Sequence, residues 1–108
     1  MSVGAERRLH PRVPIHWPAI VQTPKQCIGG ETKDISRGGA FIYCETDPGQ
    51  DEPLRIFIKA PMREIPLLFT ADVTWSNVSA PAEIPSRGIG VRFLKLSRES
   101  QQFLADAI

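Results

Sequence analysis

The chain has little cysteine, little aromatic surface and almost no net charge. Its two cysteines, Cys27 and Cys44, are too few for a disulfide-stapled secreted scaffold. They are expected to be reduced thiols, buried as small core hydrophobes. No apolar run reaches the roughly 18 residues of a membrane-spanning helix, and residues 1–12 are polar and basic rather than leader-like. A soluble, cytoplasmic protein with no membrane insertion is therefore expected. The formal net charge of +1 gives no general attraction to nucleic acid. An aromatic content of 7% weighs against a basic, base-stacking groove, so no binding of DNA or RNA is expected. Also missing are a P-loop, a G-x-S-x-G elbow, an H-E-x-x-H pair and any Cys/His metal spacing. Neither catalysis nor a metal or cofactor is expected.

What the chain does have is proline, glycine and arginine. Ten prolines and eight glycines in 108 residues favour short strands joined by turns. That length forms one domain with a single core. Nine of the thirteen basic residues are Arg, three of them at positions 7, 8 and 12. Arg suits flat, forked contacts with phosphate or a guanine edge.

Residues 1–16 carry neither helical nor strand periodicity, and Pro11 and Pro14 interrupt both. They are expected to form a flexible arm preceding a folded unit of residues 17–108. Trp17 to Thr23 predicts a first strand, and Gln26 to Ile35 a second, bulged at Gly29-Gly30. Ala40 to Cys44 makes a third, followed by a turn-rich acidic loop over 45–52. In the fourth, Leu54 to Ala60, alternation sets Leu54, Ile56 and Ile58 on one face. In the fifth, Leu67 to Asn77, it sets Phe69, Ala71, Val73 and Trp75 together. The sixth holds Gly88 to Phe93, with Ile89, Val91 and Phe93 pointing the same way. Ser97 is a candidate N-cap for a short helix, Arg98 to Ala107, whose Phe103, Leu104 and Ile108 face the sheet. The expected fold is all-β: a closed six-stranded antiparallel barrel with a C-terminal helix.

Two short stretches carry chemistry. Asp34-Ile35-Ser36-Arg37-Gly38-Gly39 combines a carboxylate, a hydroxyl and a glycine pair that can turn sharply, through φ > 0, and approach a ligand closely. Asp-x-Ser is equally an ordinary turn-forming pair, its side chains bonding their own backbone. Upstream, Arg8-Leu9-His10-Pro11-Arg12 spaces two guanidiniums four residues apart, with Arg7 beside them. A carboxylate and serine without a histidine base do not make a nucleophile. Gly88-Ile89-Gly90 is not a dinucleotide fingerprint, since Phe93 stands where the third glycine would be.

The R-x-x-x-R and [D/N]-x-S-x-x-G patterns, in this order and spacing and followed by Gly88-Ile89-Gly90-Val91-Arg92-Phe93, resemble the PilZ domain, a bacterial receptor module for cyclic di-GMP. The resemblance runs from about Glu6 to the last helix. It implies that Arg8 and Arg12 take guanine edges and phosphates, with Arg7 as a third cation. It implies a ligand bound as a stacked pair, an arginine preceding the R-x-x-x-R pattern being consistent with that form. Guanine's O6 and N7 suit a guanidinium fork. Its N1–H and N2–H edge suits a carboxylate, which makes Asp34 the candidate base selector. Ser36, Gly38 and Gly39 complete the candidate site. For Trp75, core packing is favoured by its alternation, while stacking on a guanine is the alternative. The family suggests a switch that relays to an unidentified downstream protein in control of motility, exopolysaccharide or biofilm. Two competing readings are an interaction module whose nucleotide site is silent, and a small barrel for single-stranded nucleic acid.

Overall fold

A computed structural model describes residues 12–50, 52–78 and 87–107. The strands are β1 (Val13–Pro14), β2 (Pro18–Gln22), β3 (Cys27–Ile35), β4 (Gly39–Tyr43), β5 (Leu54–Ile58), β6 (Leu67–Ser76) and β7 (Gly88–Leu96), followed by helix α1 (Arg98–Ala107). All pairings are antiparallel. The order β3-β2-β5-β6-β7-β4 closes on itself through β3–β4, giving a six-stranded barrel, with β1 as a short extra strand on β3. Closure leaves none of the six ring strands as a bare edge.

The barrel interior follows from period-two alternation. Leu54, Ile56 and Ile58 from β5 face inward beside Val21, Ile42, Phe69 and Ile89, and all seven are essentially without solvent exposure. Phe69 and Phe93 stack with centroids 4.5 Å apart. The helix begins as expected: the Ser97 Oγ accepts the Ser100 backbone N–H at 3.1 Å. The Ser100 hydroxyl donates to the Leu68 carbonyl at 3.0 Å, tying the helix to β6. Phe103 lies 5.4 Å from the Trp17 ring, and Leu104 is buried. Ile108 lies outside the described residues.

Four expectations are corrected. Residues 13 and 14, placed in the unstructured arm, pair with β3 in the register Val13↔Ile35 and Pro14↔Asp34. Pro14 can occupy this short outer strand because, among the described residues, no further strand requires its missing N–H. The bulge of β3 lies between Thr32 and Asp34, not at Gly29-Gly30. Cys27, expected in the core, is exposed at the start of β3, whereas Cys44 is buried. Trp75 points outward and is 51% exposed. Its cause is an irregularity between Val73 and Trp75, where β6 carries one residue more than β7. An inserted residue reverses the inside–outside phase of everything beyond it.

Among the described residues, no helix is long and apolar enough to cross a membrane.

Candidate functional site

The segment leading into the barrel is sewn to β3 by backbone and hydroxyl bonds. Ile15 N–H donates to the Lys33 carbonyl at 3.3 Å, and Thr32 N–H to the Trp17 carbonyl at 2.9 Å. The buried Thr32 hydroxyl accepts from Trp17 N–H at 2.9 Å and donates to the Ile15 carbonyl. These bonds set the register that places Pro14 opposite Asp34. Arg12, two residues before Pro14, reaches the same face. Its Nη1 donates to Asp34 Oδ1 at 3.2 Å.

Asp34 is available for this contact because of the β3 bulge. Thr32 is paired with Ile42 and points inward, and Lys33 is the extra residue, so Asp34 pairs with Phe41 and turns outward. Ile35 then returns to the core. The ion pair is partly solvated, with side-chain exposures of 39% for Arg12 and 17% for Asp34. A pair so exposed contributes about 0–1 kcal/mol to stability. It orients the two groups without locking them.

Ser36 behaves as a turn residue. Its Oγ accepts from Gly38 N–H and Gly39 N–H, each at 3.1 Å, and the Ser36 N–H donates to the Gly39 carbonyl at 2.8 Å. The hydroxyl thus closes the β3–β4 hairpin and holds the Asp34 segment in shape. Neither Gly38 nor Gly39 adopts the positive φ expected of the pair. The constraint at Gly39 is its neighbour: a Cβ there would lie 2.1 Å from the Val91 carbonyl oxygen. The Gly38 carbonyl accepts from Phe93 N–H at 2.8 Å, joining the hairpin to β7.

One outward row crosses four strands beside this turn. Asp34 on β3 is opposite Phe41 on β4, Phe41 is opposite Gly90 on β7, and Gly90 is opposite Trp75 on β6. Gly90 carries no side chain, so the Phe41 and Trp75 rings meet across it at 5.6 Å. Tyr43 stands edge-on to Phe41 at 5.7 Å, and the Lys33 Nζ lies 5.4 Å from the Phe41 ring centroid. Arg92 and Asp72 pair at 3.4 Å one step along the same face.

Of the residues singled out in the sequence, Arg12, Asp34, Ser36, Gly38 and Gly39 cluster at this corner, and Trp75 lies across Phe41 from Asp34. Arg7 and Arg8 lie outside the described residues. Phe41 and Lys33 were not anticipated. The signal for Phe41 was readable: it alternates with the buried Ala40 and Ile42, which leaves an aromatic ring on the outer face. Lys33 had no such signal: alternation turns it outward, but its place over the Phe41 ring depends on the bulge that sets Asp34 opposite Phe41.

A profile of the PilZ domain matches residues 6–108. No curated protein sequence matches the chain. Among solved structures, the inhibitor of motility MotI/DgrA of Bacillus subtilis superposes with a TM-score of 0.74 at 21% identity, over 93% of this chain and 48% of that one. YcgR of Escherichia coli in complex with c-di-GMP gives a TM-score of 0.69 at 18% identity, over 93% of this chain and 43% of that one. The isolated PilZ domain of YcgR with c-di-GMP gives 0.67 at 18% identity, over 92% and 86%. This chain therefore spans just under half the length of the MotI and YcgR chains it superposes on.

Proposed function

Because the chain belongs to the PilZ domain family, a family of ligand-binding receptor modules rather than enzymes, we propose that it is a cyclic di-GMP receptor. The observation that carries this reading is the meeting of the two motifs. Arg12, the last residue of the R-x-x-x-R strap, sits 3.2 Å from Asp34, the first residue of the D-x-S-x-x-G turn. A guanidinium and a carboxylate side by side complement both edges of guanine. The carboxylate accepts from N1–H and N2–H, and the guanidinium donates to O6 and N7 or to phosphate. Adenine presents an acceptor at N1 and would face Asp34 unfavourably.

Arg7 and Arg8 extend the cationic strap. Binding orders the strap over the barrel rim, and the change is passed to a downstream protein in control of motility, exopolysaccharide or biofilm. The ligand enters as a stacked pair, the module works in the cytoplasm, and no cofactor takes part.

Calorimetric titration with cyclic di-GMP tests the reading. Each good bidentate contact is worth on the order of 1–3 kcal/mol, so Arg8→Ala and Arg12→Ala should each weaken binding roughly 10- to 100-fold. Asp34→Ala should also narrow the preference for guanine over adenine in a cyclic dinucleotide. Wild-type affinity in all three variants would remove the proposed site. A stacked pair requires two ligands per chain at saturation.

A further inference from the structure

The receptor reading leaves one feature of the outer face unused, an aromatic surface adjoining the selector carboxylate. The β3 bulge turns Asp34 outward beside Phe41, and the β6 irregularity turns Trp75 outward on the far side of Gly90. The β3 reversal also returns Ile35 to the core, whereas the β6 reversal leaves Trp75 51% exposed beyond a core already holding Phe69 and Ile89. The result is a half-buried Phe41 ring, buttressed by Trp75 at 5.6 Å and Tyr43 at 5.7 Å, directly across the strand pair from Asp34. The Lys33 ammonium stands 5.4 Å from the Phe41 ring centroid.

These contacts have a common logic. The Arg12 guanidinium donates one N–H to an Asp34 oxygen, the acceptor that guanine's N1–H and N2–H edge would use. The Lys33 ammonium occupies the electron-rich face of Phe41, where a purine ring would stack. Each surface a guanine needs, an acceptor for its edge and a π-face for its plane, is held by a cation of the protein itself. Both cations sit on exposed, flexible side chains and can transfer to a phosphate.

We propose that Phe41 is a base-stacking residue of the cyclic di-GMP site. A guanine lies on its outward ring with the N1–H and N2–H edge at Asp34, and Lys33 leaves the ring for a ligand phosphate as the base arrives. This inference rests on the cyclic di-GMP reading and adds to it a platform and an exchange of cations. Trp75 then acts as a wall that braces Phe41.

The test is calorimetry on the full chain with cyclic di-GMP, comparing wild type with Phe41→Ala, Phe41→Leu and Lys33→Met. Loss of a base-stacking ring corresponds to roughly a 5- to 150-fold weaker affinity, expected for Phe41→Ala. Phe41→Leu keeps an apolar side chain on the strand and guards against a folding defect, yet has no π-face and should also bind more weakly. Lys33→Met should bind more weakly at low salt, with the gap to wild type closing as salt is added. In the wild type, ring-current shifts of the Phe41 protons should accompany saturation. Wild-type affinity in both Phe41 variants, or unshifted ring protons, overturns the stacking role. A Lys33→Met affinity equal to wild type at every salt concentration overturns the exchange. A wild-type chain that does not bind cyclic di-GMP removes the receptor reading and this one together, whereas binding with indifferent Phe41 variants removes this one alone.

Discussion

β5 and β6 lie side by side in the barrel and read alike as sequence, each an alternation of apolar and polar residues. β5 keeps its alternation from Leu54 to Ile58, and every second side chain is buried. β6 keeps it only through Ala71, loses it beyond Val73, and presents Trp75 to solvent. β3 behaves like β6, with one extra residue at Lys33 and a reversed Asp34. The regular strand supplies barrel wall and nothing else. β3 and β6 supply wall over part of their length and outward side chains of the candidate site over the rest, beside Phe41 of the regular β4. The lesson is that a single inserted residue moves side chains from the inner phase to the outer without altering the ring of pairings.

The comparison can be broken within β6 itself. Phe69→Ala, on the regular half, removes a ring with no solvent exposure and should cost about 3–5 kcal/mol in urea unfolding. Next in size is Gly39→Ala, whose new Cβ would lie 2.1 Å from the Val91 carbonyl oxygen. Separating β4 from β7 there should cost about 1–3 kcal/mol, read by the same unfolding curve.

The two thiols sharpen the same contrast between inner and outer phases. Burial, with a smaller contribution from the Asp47 charge, pushes the Cys44 thiol up to about 11 from an ordinary 9.0. Cys27 is exposed, so a thiol reagent at mildly alkaline pH should modify Cys27 first and Cys44 only slowly. Because the folded Cys44 holds its proton more tightly than the unfolded one, its contribution to stability is complete below about 9 and is lost as pH rises towards about 11. Unfolding curves of wild type and Cys44→Ala should therefore converge or cross over that alkaline range. The smallest effect is expected at Trp75→Ala, about 0.5–1.5 kcal/mol from loss of its ring contact with Phe41. A loss as large as that of Phe69→Ala would mean that β6 keeps its inner phase to the end.

Much of the architecture was legible beforehand, for identifiable reasons. The β5 alternation, the Ser97 cap and the close spacing of turn signals are local properties, and local properties survive folding here. Trp75 shows where that reasoning failed: simple alternation counted Phe69, Ala71, Val73 and Trp75 as one set because nothing in the residue types marks Thr74 as the inserted one. The β3 bulge was misplaced for a related reason. Gly29-Gly30 looked like the break, but Gly30 sits inside the strand because a Cβ there would lie 2.3 Å from the Tyr43 carbonyl oxygen. Pro11 and Pro14 discourage a strand in the sequence around them, yet β3 offers Val13–Pro14 a partner.

By itself, the order of residues determined the strand alternation, the helix cap, the two ligand-type motifs and hence the family. Each depends on neighbours within a few positions. Tertiary structure decided which side of the wall Asp34 and Trp75 occupy, and that Arg12 meets a carboxylate 22 residues away. Those outcomes depend on where one strand carries a residue more than its partner. That is a property of the pair, and neither strand alone contains it.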